Sequence, residues 1–511
     1  MKKMCKRLLS MVLASVLTVG CLAGCGGSNE KTGGKSATDI EISYVNQGLG
    51  LDWLEALIKA FKEKYPEYNV YYTAATSGSS AKATLGLKDT DTIDLYMGGQ
   101  QFDVSCLETL NDVLDTTIEG ESKSIKEKFN ASYLATEEID GNYYTLTYGG
   151  GIIGFVYSKK LFEEAGITEL PRTTNELAMV CSKLSDKDIT PLCHFYSGDY
   201  GYYEYMENVW FAQYDGVEYF NDFLKEATKE KMLKKDGRYE ALKVLEKIVT
   251  PNYTLQGSNS ESHVSMQTKF LEGSCAMMLN GSWLSSEMSN SDKMNDFEMM
   301  KTPVISSITD KLETVKSETQ LRALIQAIDE VTDGTKSEET YKDGENYQVE
   351  GNSVSAADWD YVRVARNMMA TTYSGTSAFI PNYSNAKDGA KEFLKFMYSD
   401  EGYQIYMDAQ HLKLPLELCE GEVDTSSWNA FQQNQAELFT MTEYTLTDYV
   451  KNKDRILIDG GAHPFVKGAY AFVNLMCTKN EADRIGADEA WAKIESIIND
   501  RYDSMWMQNI K

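Results

Sequence analysis

The chain has 511 residues, with 50 Lys and Arg against 77 Asp and Glu, for a net charge of -27. Acidity of this size disfavours nucleic acid and anionic lipid surfaces as partners. Hydrophobic residues make up 42% of the chain, and its length exceeds the roughly 250–300 residues at which one core stops growing, so at least two lobes are expected.

Lys2, Lys3, Lys6 and Arg7 precede an apolar run over 8–20, and Leu22-Ala23-Gly24-Cys25 follows. A basic start, a short apolar run and small residues before a cut mark a secretory signal. The run is shorter than the about 18 residues that a membrane span needs. A cysteine directly after Leu-Ala-Gly resembles the bacterial lipobox. That resemblance implies a lipoprotein signal peptide over 1–24, a lipid (palmitate) on Cys25 and anchorage to the outer face of the cytoplasmic membrane. The alternative is a plain signal peptide with Cys25 past the cut by chance. Residues 25–38 are small and polar and read as a flexible tether.

Residues 40–45 alternate apolar and polar and predict a strand. Asp52 can cap a helix that puts Trp53, Leu54, Leu57, Ile58 and Phe61 on one face; Tyr65-Pro66 stops it, and a strand starts at 70. This β-α-β start predicts a parallel sheet with helices on its faces. A further strand runs over 92–97, and Asp89, Asp91 and Asp94 read as solvated turn acids rather than a calcium loop. Asp140-Gly141 sets a hairpin turn before an aromatic strand over 143–148. Gly149, Gly151 and Gly154 have dinucleotide-fingerprint spacing, but a strand over 152–157 follows where that site needs a helix, so a crossover between lobes is expected. Helices are predicted at 160–165, 176–184, 239–248 and 386–398, a buried strand at 275–279, and an exposed insertion at 329–357. No internal repeat is present.

Cys106, Cys181, Cys193, Cys275, Cys419 and Cys477 form no C-x-x-C and read as buried free thiols, with disulfides left open because spacing does not pair them. His194, His263, His411 and His463 have no ligand spacing, so neither metal nor cofactor is expected. Three strand ends carry a shared chemistry: Asn46-Gln47-Gly48 leading to Trp53, Asp94–Met97 leading to Gly98 and Gln100, and 275–279 leading to Asn280, Gly281 and Trp283. Glycines admit a ligand to the backbone, amides supply paired donors and acceptors, and indoles give an apolar face. The set suits a neutral polyhydroxy ligand at the carboxyl ends of the strands. The competing reading is that the tryptophans plug the core. The cluster Tyr200, Tyr202, Tyr203, Tyr205 and Trp210 is dense enough for half of it to line a cleft. Candidate ligand-binding residues are Asn46, Gln47, Trp53, Asp94, Gly98, Gln100, Tyr148, Tyr203, Trp210 and Trp283.

The stretches 140–166, 171–177, 270–283 and 390–402 resemble the family 1 extracellular solute-binding proteins, the sugar-binding branch of ATP-driven importers that includes maltose-binding protein. Phe270-x-x-Gly-Ser-Cys-Ala-Met-Met-Leu-Asn-Gly-Ser-Trp283 is the most specific piece. The chain departs from the family at Thr174-Asn175 and in an insertion over 305–380. The resemblance implies a two-lobed α/β binding-protein fold of type II, with 39–148 plus 303–398 as the first lobe and 149–302 plus 399–511 as the second. It implies a monomeric receptor that closes on a carbohydrate and delivers it to membrane permease subunits. Two other classes stay open: a surface glycoside hydrolase, and a lipid-anchored adhesin or sensor with the same fold.

Overall fold

In the computed structural model, described here for residues 36–46, 48–75, 92–98, 104–194, 202–226, 228–289, 291–421, 423–446, 455–457 and 469–508, two sheets are each wrapped by helices. The first has the spatial order Asn69–Ala75, Asp39–Val45, Leu95–Met97, Ser377–Phe379, Leu146–Thr147; the three N-terminal strands are parallel and the last two strands run against their neighbours. Ile40, Ile42 and Tyr44 point into its core, and the helix Asp52–Lys64 buries the five apolar residues that its spacing singles out. Asp52 and Glu55 in the first turn and Lys62 and Lys64 in the last complement its dipole.

The second sheet has the order Tyr444–Leu446, Met368–Thr371, Ile152–Ser158, Met277–Gly281, Leu192–Cys193, with Phe297–Met299 added on Ile152–Ser158. Ile152–Ser158 is buried along its whole length, as a central strand covered on both faces requires. The helices Thr174–Ser185, Tyr203–Asp215, Gly237–Ile248, Glu318–Thr332 and Ala356–Arg366 share its core.

The hydrophobic clusters divide the chain differently from the expected boundaries. Residues 303–371 belong to the second unit: Val304, Leu321, Ile328, Trp359 and Val362 lie in the same cluster as Phe155 and Leu279. Arg366 grips Asp329 through Nε and Nη2 at 2.8 and 2.9 Å and so ties the helices 318–332 and 356–366 together. Conversely, Tyr403, Tyr406, Leu414 and Trp428 pack with Trp53 and Tyr148 in the first unit. Among the described residues, three segments therefore cross between the sheets, at 148–151, at 372–376 and just after Trp428. The first two run side by side, with Tyr148 N donating to Thr376 O (3.0 Å) and Thr372 N to Gly151 O (3.1 Å).

Three local expectations are corrected. The strand predicted over 143–148 is split: Asn142–Tyr143 pairs with Glu138–Ile139 across the Asp140-Gly141 turn, and Leu146–Thr147 joins the first sheet. The insertion is not simply exposed. Lys342–Asp343, Asn346–Val349 and Asn352–Val354 form a small antiparallel sheet whose Tyr347 stacks on Trp359 with ring centres 4.1 Å apart. Cys193 and Cys275 are joined in a disulfide rather than free, because Leu192–Cys193 lies beside the start of Met277–Gly281 and brings their Cα atoms to 6.0 Å.

Candidate functional site

Both sheets bring the carboxyl ends of their parallel strands to the crossing segments. Val45, at the end of Asp39–Val45, accepts a hydrogen bond from the Tyr148 hydroxyl at 3.1 Å. In the second sheet, Ser282 N donates to Ile152 O at 3.1 Å, and Ser282 Oγ accepts from Ile152 N at 3.2 Å. The space over these ends is the cleft in which open α/β sheets hold their ligands.

On the first-sheet side, the turn after Val45 is pinned by several bonds. Asn46 Oδ1 accepts from Gly50 N (2.8 Å), the Tyr44 hydroxyl donates to Gly50 O (2.8 Å), and Gln410 Nε2 donates to Leu49 O (2.6 Å). Gly48 has φ +86°, and a Cβ there would stand 3.4 Å from Glu287 Oε1 of the second unit. Gly48 and Glu287 thus face each other across the cleft. Glu287 is held from behind, its carboxylate accepting from Gln267 Nε2 at 2.6 Å and meeting His263 Nε2 at 3.2 Å.

Beside Glu287, Trp283 is half-buried and lies over Gly281, where a Cβ would come within 2.2 Å of the indole ring. Only glycine leaves room for that ring. The half-buried Tyr202 meets Trp283 edge-on at 5.8 Å and Tyr205 at 5.9 Å. Three aromatic rings therefore share the carboxyl end of Met277–Gly281, with hydroxyl, amide and carboxylate groups beside them.

The candidate residues read from the sequence separate into cleft and core. Asn46 and Trp283 lie at the cleft. Gln47 and Gln100 lie outside the described residues, as does Cys25. Gly98 ends its strand with φ +120°, but it serves packing: a Cβ would sit 2.5 Å from Val45 Cβ and 3.1 Å from the Tyr148 hydroxyl. Trp53 is a correction. It is fully buried, donates from Nε1 to the Tyr44 hydroxyl at 3.3 Å, and is enclosed by the rings of Tyr44, Tyr148 and Tyr406. Tyr148 is equally buried in that cluster and does not face the cleft, and burial pushes its hydroxyl far above the usual phenol range.

Asp94 is neither a ligand contact nor a solvated turn acid. It is fully buried, its carboxylate accepting from Glu41 N at 2.9 Å and from the Ser384 hydroxyl at 2.6 Å, which ties the first strand to the loop before the helix Lys387–Met397. Tyr203 and Trp210 are core residues too, with Trp210 Nε1 donating to Pro303 O at 3.2 Å. The helix Tyr203–Asp215 explains the error: Tyr203, Met206 and Trp210 recur at the spacing of one buried face, whereas Tyr202 and Tyr205 fall beside it. The spacing held that signal. Glu287, His263 and Gln267 carried none, because only the fold brings them together.

Among the described residues, one group has metal-ligand chemistry: Glu121, Asp400 and Cys419. A buried ammonium already serves it. Lys128 Nζ donates to Glu121 Oε2 (2.8 Å), Asp400 Oδ1 (2.7 Å) and Tyr398 O (2.8 Å), so the cluster is a structural ion pair.

Residues 47–404 match the sequence profile of the bacterial extracellular solute-binding proteins. Among curated proteins, binding proteins of Brucella abortus (strain 2308) and Brucella suis biovar 1 are 25% identical over 175 residues, 32% of this chain, which spans 38% of their length. The fold is shared with the solute receptor AcbH, whose stated preference is for β-D-galactopyranose (TM-score 0.61, 13% identity, 92% of this chain and 100% of that one). It is shared with a chitin oligosaccharide binding protein (0.60, 17%, 90% and 98%) and with RafE solved with raffinose (0.57, 13%, 90% and 99%). With the profile covering well over half of its length and two lobes meeting at a cleft, the chain belongs to the bacterial extracellular solute-binding protein family.

Proposed function

We propose that this protein captures a carbohydrate outside the cell and delivers it to the permease of an ATP-driven importer, without transforming it. The observation that carries the reading is the partly exposed surface of Trp283, Tyr202 and Tyr205 at the carboxyl end of Met277–Gly281. Sugar C–H faces stack on such rings, while hydroxyls take amide and carboxylate partners. Structural neighbours whose ligands are galactopyranose, raffinose and chitin oligosaccharides support the same class. Asn46, Gly48 and Glu287 would meet the ligand from the two sides of the cleft, with Gln47 and Gln100 as further contacts. The lipobox supports anchorage through Cys25, and no helix among the described residues is long and apolar enough to cross a membrane.

A thermal-shift screen of the mature chain over neutral oligosaccharides tests the reading, because a ligand that binds only the native state raises the melting temperature. We expect a shift with at least one sugar, which is recovered intact. Shortened products would place the protein among glycoside hydrolases. For the anchor, Cys25→Ser should leave uncleaved precursor or release protein to the medium; a variant still processed and membrane-bound like wild type would contradict it.

A further inference from the structure

Glu287 brings a charge to the cleft that no cation beside it balances. It follows Trp283 by four residues, and its backbone N–H donates to Trp283 O at 2.9 Å, so the two side chains share one face of a helical turn. The carboxylate reaches the first unit: a Cβ built on Gly48 would lie 3.4 Å from Oε1, 3.8 Å from Cγ and 3.9 Å from Cδ. The side chain keeps 20% of its surface exposed.

The groups that hold this carboxylate are an amide and an imidazole. Gln267 Nε2 donates to Oε2 at 2.6 Å. His263 Nε2 meets Oε1 at 3.2 Å and carries the hydrogen of that contact, because a carboxylate oxygen only accepts. Neither contact requires a positive partner, and among the described residues no lysine or arginine pairs with Glu287. Each carboxylate oxygen has two lone pairs, so each keeps one for a further donor. The net charge of -27 supplies no balance from a distance. An anionic ligand group is repelled here. A hydroxyl fills a lone pair but leaves the charge, whereas a protonated amine does both.

The rings beside the carboxylate favour the same group. Aromatic faces attract an ammonium through their π-systems, most strongly on indole. Trp283, Tyr202 and Tyr205 are all partly exposed, with Tyr202 at 5.8 Å from Trp283 and 5.9 Å from Tyr205. Tyr202 holds φ +60°, the left-handed region that a bulky side chain rarely adopts. The surrounding fold therefore keeps its ring beside Trp283 in spite of the backbone's own preference.

We propose that Glu287 and Trp283 bind a protonated amine, so that the ligand is an amino sugar or an oligosaccharide that contains one. The inference rests on the carbohydrate reading given above and narrows it. Neutral sugars of the same shape still bind, more weakly, because a hydrogen bond between two charged groups is the stronger kind. Calorimetric titration of the mature chain with two matched pairs tests it: galactosamine against galactose, and chitotriose (the glucosamine trimer) against cellotriose. Within each pair an amine replaces the hydroxyl at C2. The wild type should bind the amino member of at least one pair about tenfold tighter. Glu287→Gln keeps the shape and removes the charge, and it should bring that ratio to within about twofold while moving the neutral sugar by less than about threefold. Should that variant unfold, Glu287→Asp, which keeps the charge but draws it back by one methylene, should lower the ratio; a ratio unchanged there is contrary to the proposal. Equal affinities within both pairs in wild type, or a ratio that survives Glu287→Gln, would overturn it. So would a wild type that binds a neutral sugar in the thermal-shift screen and neither amino sugar. A wild type that binds no sugar in any of these measurements contradicts the carbohydrate reading itself, which is a different result.

Discussion

Trp53 and Trp283 each follow the carboxyl end of a strand, yet one is enclosed by three tyrosines and the other is half-buried at the cleft. Their substitutions should differ accordingly. Trp53→Ala should cost about 3–5 kcal/mol of folding stability, as deletion of a large buried ring does, read as a lower denaturant midpoint. Trp283→Ala should cost little stability and about 1–3 kcal/mol of ligand affinity, read by titration; a loss of stability with unchanged affinity would move it to the core. His194 adds a pH dependence. The unfolded chain takes up its imidazole proton near pH 6.5, whereas the folded chain, with the pKa lowered by burial to about 4, does not. Between those values the unfolded state binds more protons, so stability falls with falling pH, by about 3 kcal/mol across the window. Subtracting the unfolding free energy of His194→Gln from that of wild type at each pH isolates this part; a flat difference would show that the ring is already solvated.

At the scale of elements, local signals were legible and their assembly was not. The spacing of Trp53, Leu54, Leu57, Ile58 and Phe61 is enough to place a helix and its buried face. The Gly149–Gly151 run, with Ile152 opening a strand, is enough to expect a crossover. What sequence spacing lacks is sheet order. Nothing local tells that Met368–Thr371 pairs with Ile152–Ser158, so the boundary written at 303 belongs near 372, and the one written at 399 belongs after Trp428. The Cys193–Cys275 disulfide was hidden for the same reason: it depends on Leu192–Cys193 lying beside Met277–Gly281, across 82 residues of chain. Closing a loop of that length constrains the unfolded chain, so the Cys193→Ser/Cys275→Ser double variant should lose about 2–4 kcal/mol, measured by denaturation without reductant. Gly150 bears on the hinge. Its φ is +104°, and a Cβ would lie 2.8 Å from Thr376 Oγ1 in the neighbouring crossing segment. Gly150→Ala therefore strains the backbone and presses the two segments apart, at about 1–3 kcal/mol.

Among the described residues the two main sheets each have their own core and are joined by three crossings. Such an arrangement has few ways to change shape except rotation about the crossings. Gly48 and Glu287 approach each other at its mouth, so contacts that a ligand makes to both units favour the closed arrangement, and only such contacts do. Small-angle scattering of the mature chain, with and without a sugar chosen by thermal shift, tests this most directly when the sugar is recovered afterwards. The account predicts a smaller radius of gyration in the bound state and an intact sugar. Binding with no compaction would contradict closure, and a cleaved sugar would contradict a receptor that performs no chemistry.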